Sequence, residues 1–517
     1  MANFMNMKSS KQIIAILLLL AVTIHSGCSN FDEINTNPNT PSRVSSQMLA
    51  TTLILDVIRQ PTQKSFLIDD LMSKYMAWSE FVQGEQYNRI ERADFDELIV
   101  LNNIDKMVEF APSEELKNSY LALGHFVKAY KYFELTMRVG DVPFKDALKG
   151  ESETIYYPAY DSQKEVFLGI LEELAEADRL FAMGDDFDGD PIYGGSTAQW
   201  RKLANTFALK VLINLSKKAE DAELNVKGRF QEILSSKPIF ESNDDNFQIV
   251  YSDKANQRYP FHKLGNNFII YNMVGSPIID SLKSLQDYRL FYYAKPSPIA
   301  LSNGMQVNEW DAYKGIDPSV EFTVLSQVAS SKDYSPMNDR YTEIPEGEPT
   351  FLMSYSQMNF IIAEAAARSW INVNAAEYYE EGIRSAMDFV ASHTPDNEQF
   401  HHGMPITSAY VDQYLASAPV QFKSSFEEQL KQIMTQKYIA NFLQTPWETY
   451  FEYRRTGYPE LPINPQTNLN EIKDQFPKRW MYPQEELDYN MENVSAAIST
   501  QFGGNDNVNA VMWLIKD

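Results

Sequence analysis

Apolar positions recur at spacings of three and four through most of the chain, the pattern of helices that bury one stripe. Ser113 stands just before Glu114 and Glu115, an N-cap followed by acids that suit the positive end of a helix dipole. That helix is expected to run to about Arg138 and to stop at Gly140-Asp141-Val142-Pro143. A second opens near Ser162 with Glu165 at capping-box spacing, and its stripe reads Phe167, Leu171, Leu174, Ala177 and Phe181. A third opens at Ser196 and buries Trp200, Ala204, Phe207, Val211 and Leu215. Further helices are expected over 354–370, 374–392, 424–443 and 447–456. Within 359–382, Ile362, Ala363 and Ala366 share one helix, and Ala375, Tyr379 and Gly382 the next. This is a degenerate tetratricopeptide spacing, in which small residues let paired helices approach. The repeat's usual Pro is missing, so a generic helical hairpin fits the same residues.

Residues 236–350 break the pattern. Tyr259-Pro260-Phe261, Leu264-Gly265-Asn266-Asn267, Lys295-Pro296-Ser297-Pro298 and Tyr313-Lys314-Gly315 interleave turn formers with aromatics. The segment reads as ordered loops with short strands or helical turns, and long ordered loops on a helical body carry function. The stretch after Thr456 has the same irregular look.

The start of the chain decides the compartment. Lys8 and Lys11 precede an apolar run over 13–24, too short for a membrane span, which needs about 17–25 residues. Basic start, apolar middle and small residues at Ser26-Gly27-Cys28 have the layout of a secretory signal. The last three residues resemble the lipobox of bacterial lipoproteins, with His25 standing where an aliphatic residue is usual. Cys28, the single cysteine, is therefore expected to be lipidated and to become the mature N-terminus. The expected organisation is a signal peptide over 1–27, a lipidated N-terminus and linker over 28–41, and one domain over 42–517. That domain divides into a helical core over about 42–235 and 351–456, a loop-rich insert over about 236–350, and an irregular tail over about 457–517.

Charge and cysteine usage narrow the function. The 517 residues carry 45 Lys plus Arg against 70 Asp plus Glu, a net −25. Cleavage before Cys28 removes two Lys, giving 43 − 70 = −27. Such an excess of acid argues against nucleic acid as a partner, and one Cys excludes an internal disulfide or a Cys-based zinc site.

Several segments together resemble the SusD/RagB family of surface lipoproteins. They are Arg138-Val139-Gly140-Asp141-Val142-Pro143-Phe144, Tyr157-Pro158-Ala159-Tyr160-Asp161-Ser162-Gln163, Asp190-Pro191-Ile192-Tyr193-Gly194-Gly195 and Trp200-Arg201-Lys202-Leu203-Ala204-Asn205. Ala363-Glu364-Ala365-Ala366, Thr435-Gln436-Lys437-Tyr438-Ile439-Ala440, Glu452-Tyr453-Arg454-Arg455-Thr456-Gly457-Tyr458-Pro459 and Arg479-Trp480-Met481-Tyr482-Pro483 follow in the family's order. The resemblance implies a mainly α fold: tetratricopeptide-like helical hairpins, an α-α superhelix, supporting a loop-rich ligand-binding region. It implies a non-catalytic protein on the outer membrane, facing outward, and Asp32-Glu33 resembles the group's acidic export signals. It also implies a nutrient ligand, oligosaccharide or peptide, and a SusC-like TonB-dependent transporter as partner.

A protein that grips sugars without breaking them needs flat aromatic faces with amide, carboxylate or guanidinium groups beside them. Two segments supply that mixture: residues 78–89, with Trp78 and Tyr87, and the central loops, with Asn267, Tyr271, Trp310 and Tyr313. These six are the candidate ligand contacts. Trp200 on its apolar stripe reads as core, and the pair Arg454-Arg455 as packing and ion pairing. Asp186, Asp188 and Asp190 suggest calcium, but an EF-hand needs Gly where Pro191 stands and Glu where Thr197 stands; a solvated acidic turn fits better, and no cofactor is expected. His401-His402 reads as a surface turn. No HExxH, phosphate-cradling Gly loop, GxSxG elbow or dinucleotide fingerprint occurs. Competing readings are a lipid-anchored glycosidase, which needs only two facing carboxylates, and a tethered helical scaffold.

Overall fold

Ser113 caps the first long helix: its hydroxyl accepts from the Leu116 amide at 3.2 Å, and the helix runs Glu114–Val139 to Gly140 at φ 101°. The structure, a computed structural model, describes residues 44–62, 64–264 and 269–517; the expected signal, Cys28 and the linker over 28–41 lie outside them. The next helix, Gln163–Phe181, opens on the expected capping box, Ser162 and Glu165 bonding each other's backbone amides. These two helices pack against each other, and the second packs on a third, Thr197–Asn214. Every predicted stripe residue of the second and third helices is buried. At the seam Phe126 meets Trp200 edge-on at 5.4 Å and Phe133 meets Phe207 at 5.3 Å.

The hairpin expected over 354–392 forms as Tyr355–Ala367 and Ala375–Ser392. Gly382 explains the close approach: a Cβ there would stand 2.6 Å from Phe360 Cε1. Tyr355–Ala367 also packs on Phe426–Ala440 and on Thr197–Asn214, joining the two helical stretches into one frame. The fold is mainly α, as expected. Inside the frame Arg455 bonds Glu364 at 2.5 and 2.7 Å and also pairs with Glu452, which in turn holds Lys437. Arg454 donates to the Lys478 and Met137 carbonyls at 2.7 Å each and lies over the rings of Tyr450 and Phe451. Arg455 therefore serves ion pairing, and Arg454 packing and hydrogen bonding to backbone carbonyls.

The insert is closed at its neck by an antiparallel strand pair, Phe247–Ile249 with Thr350–Met353, in register Phe247 to Met353. It is less irregular than its sequence suggests. Ser276–Leu285 and Phe322–Ser331 are ten-residue helices, the first with a Pro in its opening turn and Ile278, Ile279 and Leu282 buried. The tail likewise contains Gln484–Tyr489 and Met491–Phe502. It straps back across the frame: the Tyr482 hydroxyl donates to the Asp141 carbonyl at 2.8 Å, and the Leu514 amide to Gln163 Oε1 at 2.9 Å.

Candidate ligand-binding site

Beneath the insert lies a second apolar cluster, including Phe261, Leu282, Phe291, Tyr293, Tyr341 and Phe442. Its outer edge is set by a buried ion pair. Arg289 and Asp287 are both fully buried and meet at 2.6 Å, while a second guanidinium bond reaches Gln436 Oε1 at 2.7 Å. Gln436 in turn donates to the Tyr414 hydroxyl at 2.9 Å. The pair ties the Asp287 turn to the helical frame and fixes the residue between its members, Tyr288.

Tyr288 is half-buried and stacks on Tyr410, ring centres 3.6 Å apart. Tyr410 comes from the helix Ser408–Leu415; its hydroxyl accepts from the Tyr288 amide at 2.8 Å and donates to the Gln286 carbonyl at 2.9 Å. Burial pushes this phenol well above its ordinary range, so it stays a hydroxyl. Trp310, in the turn Trp310–Ala312, completes the group, edge-on to Phe291 at 4.9 Å and 6.2 Å from Tyr288. It too is half-buried. The helix Pro298–Ser302 packs on this turn and leaves Ile299 and Leu301 exposed. Lys283 reaches Asp311 at 3.4 Å and the Tyr313 carbonyl at 3.3 Å. The result is an aromatic shelf with a charged rim, chemistry suited to the apolar faces and hydroxyls of a sugar ring.

The other expected contacts fall elsewhere. Trp78 is 1 % exposed, within the strand Met76–Trp78, which pairs with Asn272–Val274. Tyr313 is 1 % exposed, its hydroxyl donating to the Val307 carbonyl at 2.8 Å. Tyr87 is buried and donates to the Val320 carbonyl at 3.1 Å. The rings of these three are covered by protein and present no free face, which corrects their reading as ligand contacts. Tyr271 is half-buried beside Trp78, ring centres 6.1 Å apart. Asn267 lies outside the described residues. The strand pair thus joins the two predicted segments, but as core. Among the described residues no ring contact links Trp78 and Tyr271 to the Trp310 group.

Gln86 and Asn88, near Tyr87, cradle a buried lysine: Lys74 donates to the Gln86 carbonyl at 2.5 Å and to Asn88 Oδ1 at 2.7 Å. Desolvation lowers its pKa to about 7. In the 185–190 turn Asp185, Asp186 and Asp188 are exposed, and Asp190 is half-buried. Asp190 accepts from the Ile192 and Gly195 amides and the Trp200 indole at 2.8–3.0 Å, and Asp186 from the Thr197 amide at 2.9 Å. Among the described residues no group of three or more His, Cys, Asp or Glu is arranged to hold a metal. His401 and His402 are buried, not on a surface turn; His402 Nδ1 bonds the Phe291 carbonyl at 2.9 Å. Burial lowers the His402 pKa, so a neutral ring donates that bond and steadies the shelf from behind.

A SusD-like family model, described as starch-binding and associating with the outer membrane, matches residues 38–483. The chain belongs to the SusD-like family. A SusD homologue from Bacteroides fragilis is 46% identical over 92% of this chain and 100% of its own, with a TM-score of 0.89. A second homologue from that species is 35% identical over the same shares, with a TM-score of 0.81. A chitin-binding SusD homologue from Flavobacterium johnsoniae shares the fold at 21% identity, covering 91% of this chain and 99% of its own, TM-score 0.67. No curated protein matches the chain. The SusD-like family is associated with the outer membrane, and no helix among the described residues is long and apolar enough to cross one.

Proposed function

We propose that this SusD-like chain is a lipoprotein anchored through Cys28 on the outer face of the outer membrane. It captures a glycan on the shelf of Trp310, Tyr288 and Tyr410 and passes it to a SusC-like TonB-dependent transporter, without catalysis. The observation that carries the reading is the half-exposed Trp310 group on a SusD-like frame. The chitin-binding homologue of the same fold supports a saccharide as the ligand class. Aromatic faces supply affinity at small entropic cost, because two-torsion side chains are already held by packing. The neighbouring carboxylate and ammonium of Asp311 and Lys283 give hydroxyls both an acceptor and donors.

Affinity electrophoresis through gels carrying soluble polysaccharides tests the binding. The wild type is retarded by one of them, and Trp310→Ala removes the retardation while lowering the melting temperature by only a few degrees. Unchanged retardation would exclude the shelf. Release of reducing ends by the purified protein would refute the non-catalytic assignment. Cys28→Ser moves the protein from the membrane to the soluble fraction, and continued acyl labelling of that variant would place the anchor elsewhere.

A further inference from the structure

A separate cavity of about 400 Å³ opens in the helical frame, walled by Phe66, Tyr130 and Trp447 and by the carboxylates of Asp69, Asp70 and Glu134. The exposed residues Arg59 and Pro61 stand at its edge. Its volume lies in the range of small-molecule sites and is too small for an oligomer.

The charges around it do not balance. Arg138 is taken by Glu97 at 3.0 Å and by Glu134 at 3.7 Å. Lys210 is taken by Glu448 at 2.8 Å and Lys131 by Asp56 at 2.6 Å. Arg59 makes no ion pair with either aspartate. Asp70 is 1 % exposed, and among the described residues its Oδ1 has no hydrogen-bond partner. Buried carboxylates are normally paired or bonded, because desolvation of an isolated one is costly. Asp69 accepts a hydrogen bond from Trp447 and feels the charge of Arg138, whereas Asp70 beside it has neither bond nor cation among the described residues. Burial, then the neighbouring Asp69, push the Asp70 pKa well up, and burial raises Asp69 to about 6. At Asp70 no cation or hydrogen bond among the described residues works against that rise. A metal ion is not indicated, since no three-ligand group exists among the described residues.

We infer that this cavity binds a molecule of single-ring size bearing a primary ammonium, its nitrogen docking on Asp70 and Asp69 and its ring against Phe66 and Trp447. An ammonium supplies both the charge and the donors that Asp70 lacks, and Trp447 and Phe66 offer faces to a cation and to C–H groups alike. A neutral hydroxyl supplies a donor but no charge to hold either carboxyl ionised. The site is distinct from the shelf proposed for the glycan.

Two ring-sized probes that differ in one group test this: aminocyclohexanol, charged at neutral pH, and neutral cyclohexanediol. Each is titrated into the detergent-solubilised full-length protein and followed by calorimetry and tryptophan fluorescence. The amine binds at least about tenfold more tightly, the size of one charge-assisted bond. Asp70→Asn abolishes that preference, and without ligand it melts no lower than wild type at neutral pH, because an amide replaces a buried carboxyl that has no cation beside it among the described residues. Asp69→Asn, at the half-buried partner, weakens the preference at least about threefold and serves as a second variant. Trp447→Phe removes the fluorescence response, whereas Trp310→Ala leaves amine binding intact, separating this site from the shelf. Equal affinity for the two probes, no binding of either at tens of millimolar, or a preference that survives both aspartate substitutions would overturn the assignment.

Discussion

Phe207 in the helical frame and Arg289 beneath the insert are both fully buried, yet they solve different problems. Phe207 sits on a stripe that its own helix spacing creates, and its neighbours Phe126, Tyr130 and Phe133 come from one facing helix. Arg289 sits in a short helix, Arg289–Tyr293, and its place is fixed by Asp287, two residues away, and by Gln436, far along the chain. Apolar stripes tolerate small changes in volume; a buried ion pair loses its balance when either member goes. The region that carries the shelf is thus held by fewer and more specific bonds than the frame that carries it.

The sharpest way to break this comparison is Arg289→Met. It leaves Asp287 buried without its partner, at a cost of about 3–5 kcal/mol. Hydrogen exchange is expected to rise over 276–342 while 114–214 keeps its protection; uniform loss across both would show that the two regions unfold as one. The double change Asp287→Asn with Arg289→Met recovers most of the stability.

Acid attacks the frame instead. Burial alone would raise the Glu452 carboxyl, but Arg455 and Lys437 outweigh it and hold the folded pKa at about 2, below the ordinary 4.5. A depressed carboxylate contributes fully above its unfolded pKa and loses that contribution as pH falls through the folded one. The unfolding free energy from urea titrations is therefore expected to drop between about pH 4.5 and pH 2, by up to about 3 kcal/mol. Arg455→Met flattens that dependence.

Smaller effects test the packing. Gly382→Ala places a methyl against Phe360 and is expected to cost about 1–3 kcal/mol, read as a lower urea midpoint with an unchanged slope. Ser162→Ala removes one cap of the Gln163–Phe181 helix and costs about 1 kcal/mol. The same measurement checks it.

The frame was legible because its rules are local. A cap, an acid three residues on and apolar positions at three and four spacings sit within one stretch of chain, and Ser162, Glu165, Phe167 and Phe181 obey them all. The aromatic candidates were not legible in that way. Trp78, Tyr87 and Tyr313 share composition and turn-rich surroundings with Trp310, and only the long-range strand pairing and the packing beneath the insert separate buried rings from half-exposed ones. Tyr288 and Tyr410 were missed because 122 residues separate them. Their only local hint was the edge position of Tyr410, just before the buried Val411 on its helix. The tail helices were missed because Pro and Asn around them masked two short amphipathic runs, although Pro483 and the acids Glu485 and Glu486 fit a helix start.

The strap formed by Tyr482 and Leu514 has a consequence for how the molecule is made. Gln163, in the second long helix, waits for a partner 351 positions later in synthesis, and Trp513 closes over Phe167 beside it. The early helices therefore emerge from the ribosome with one flank unfinished, and truncation a few residues before Leu514 would leave that flank open to water however well the hairpins themselves had assembled.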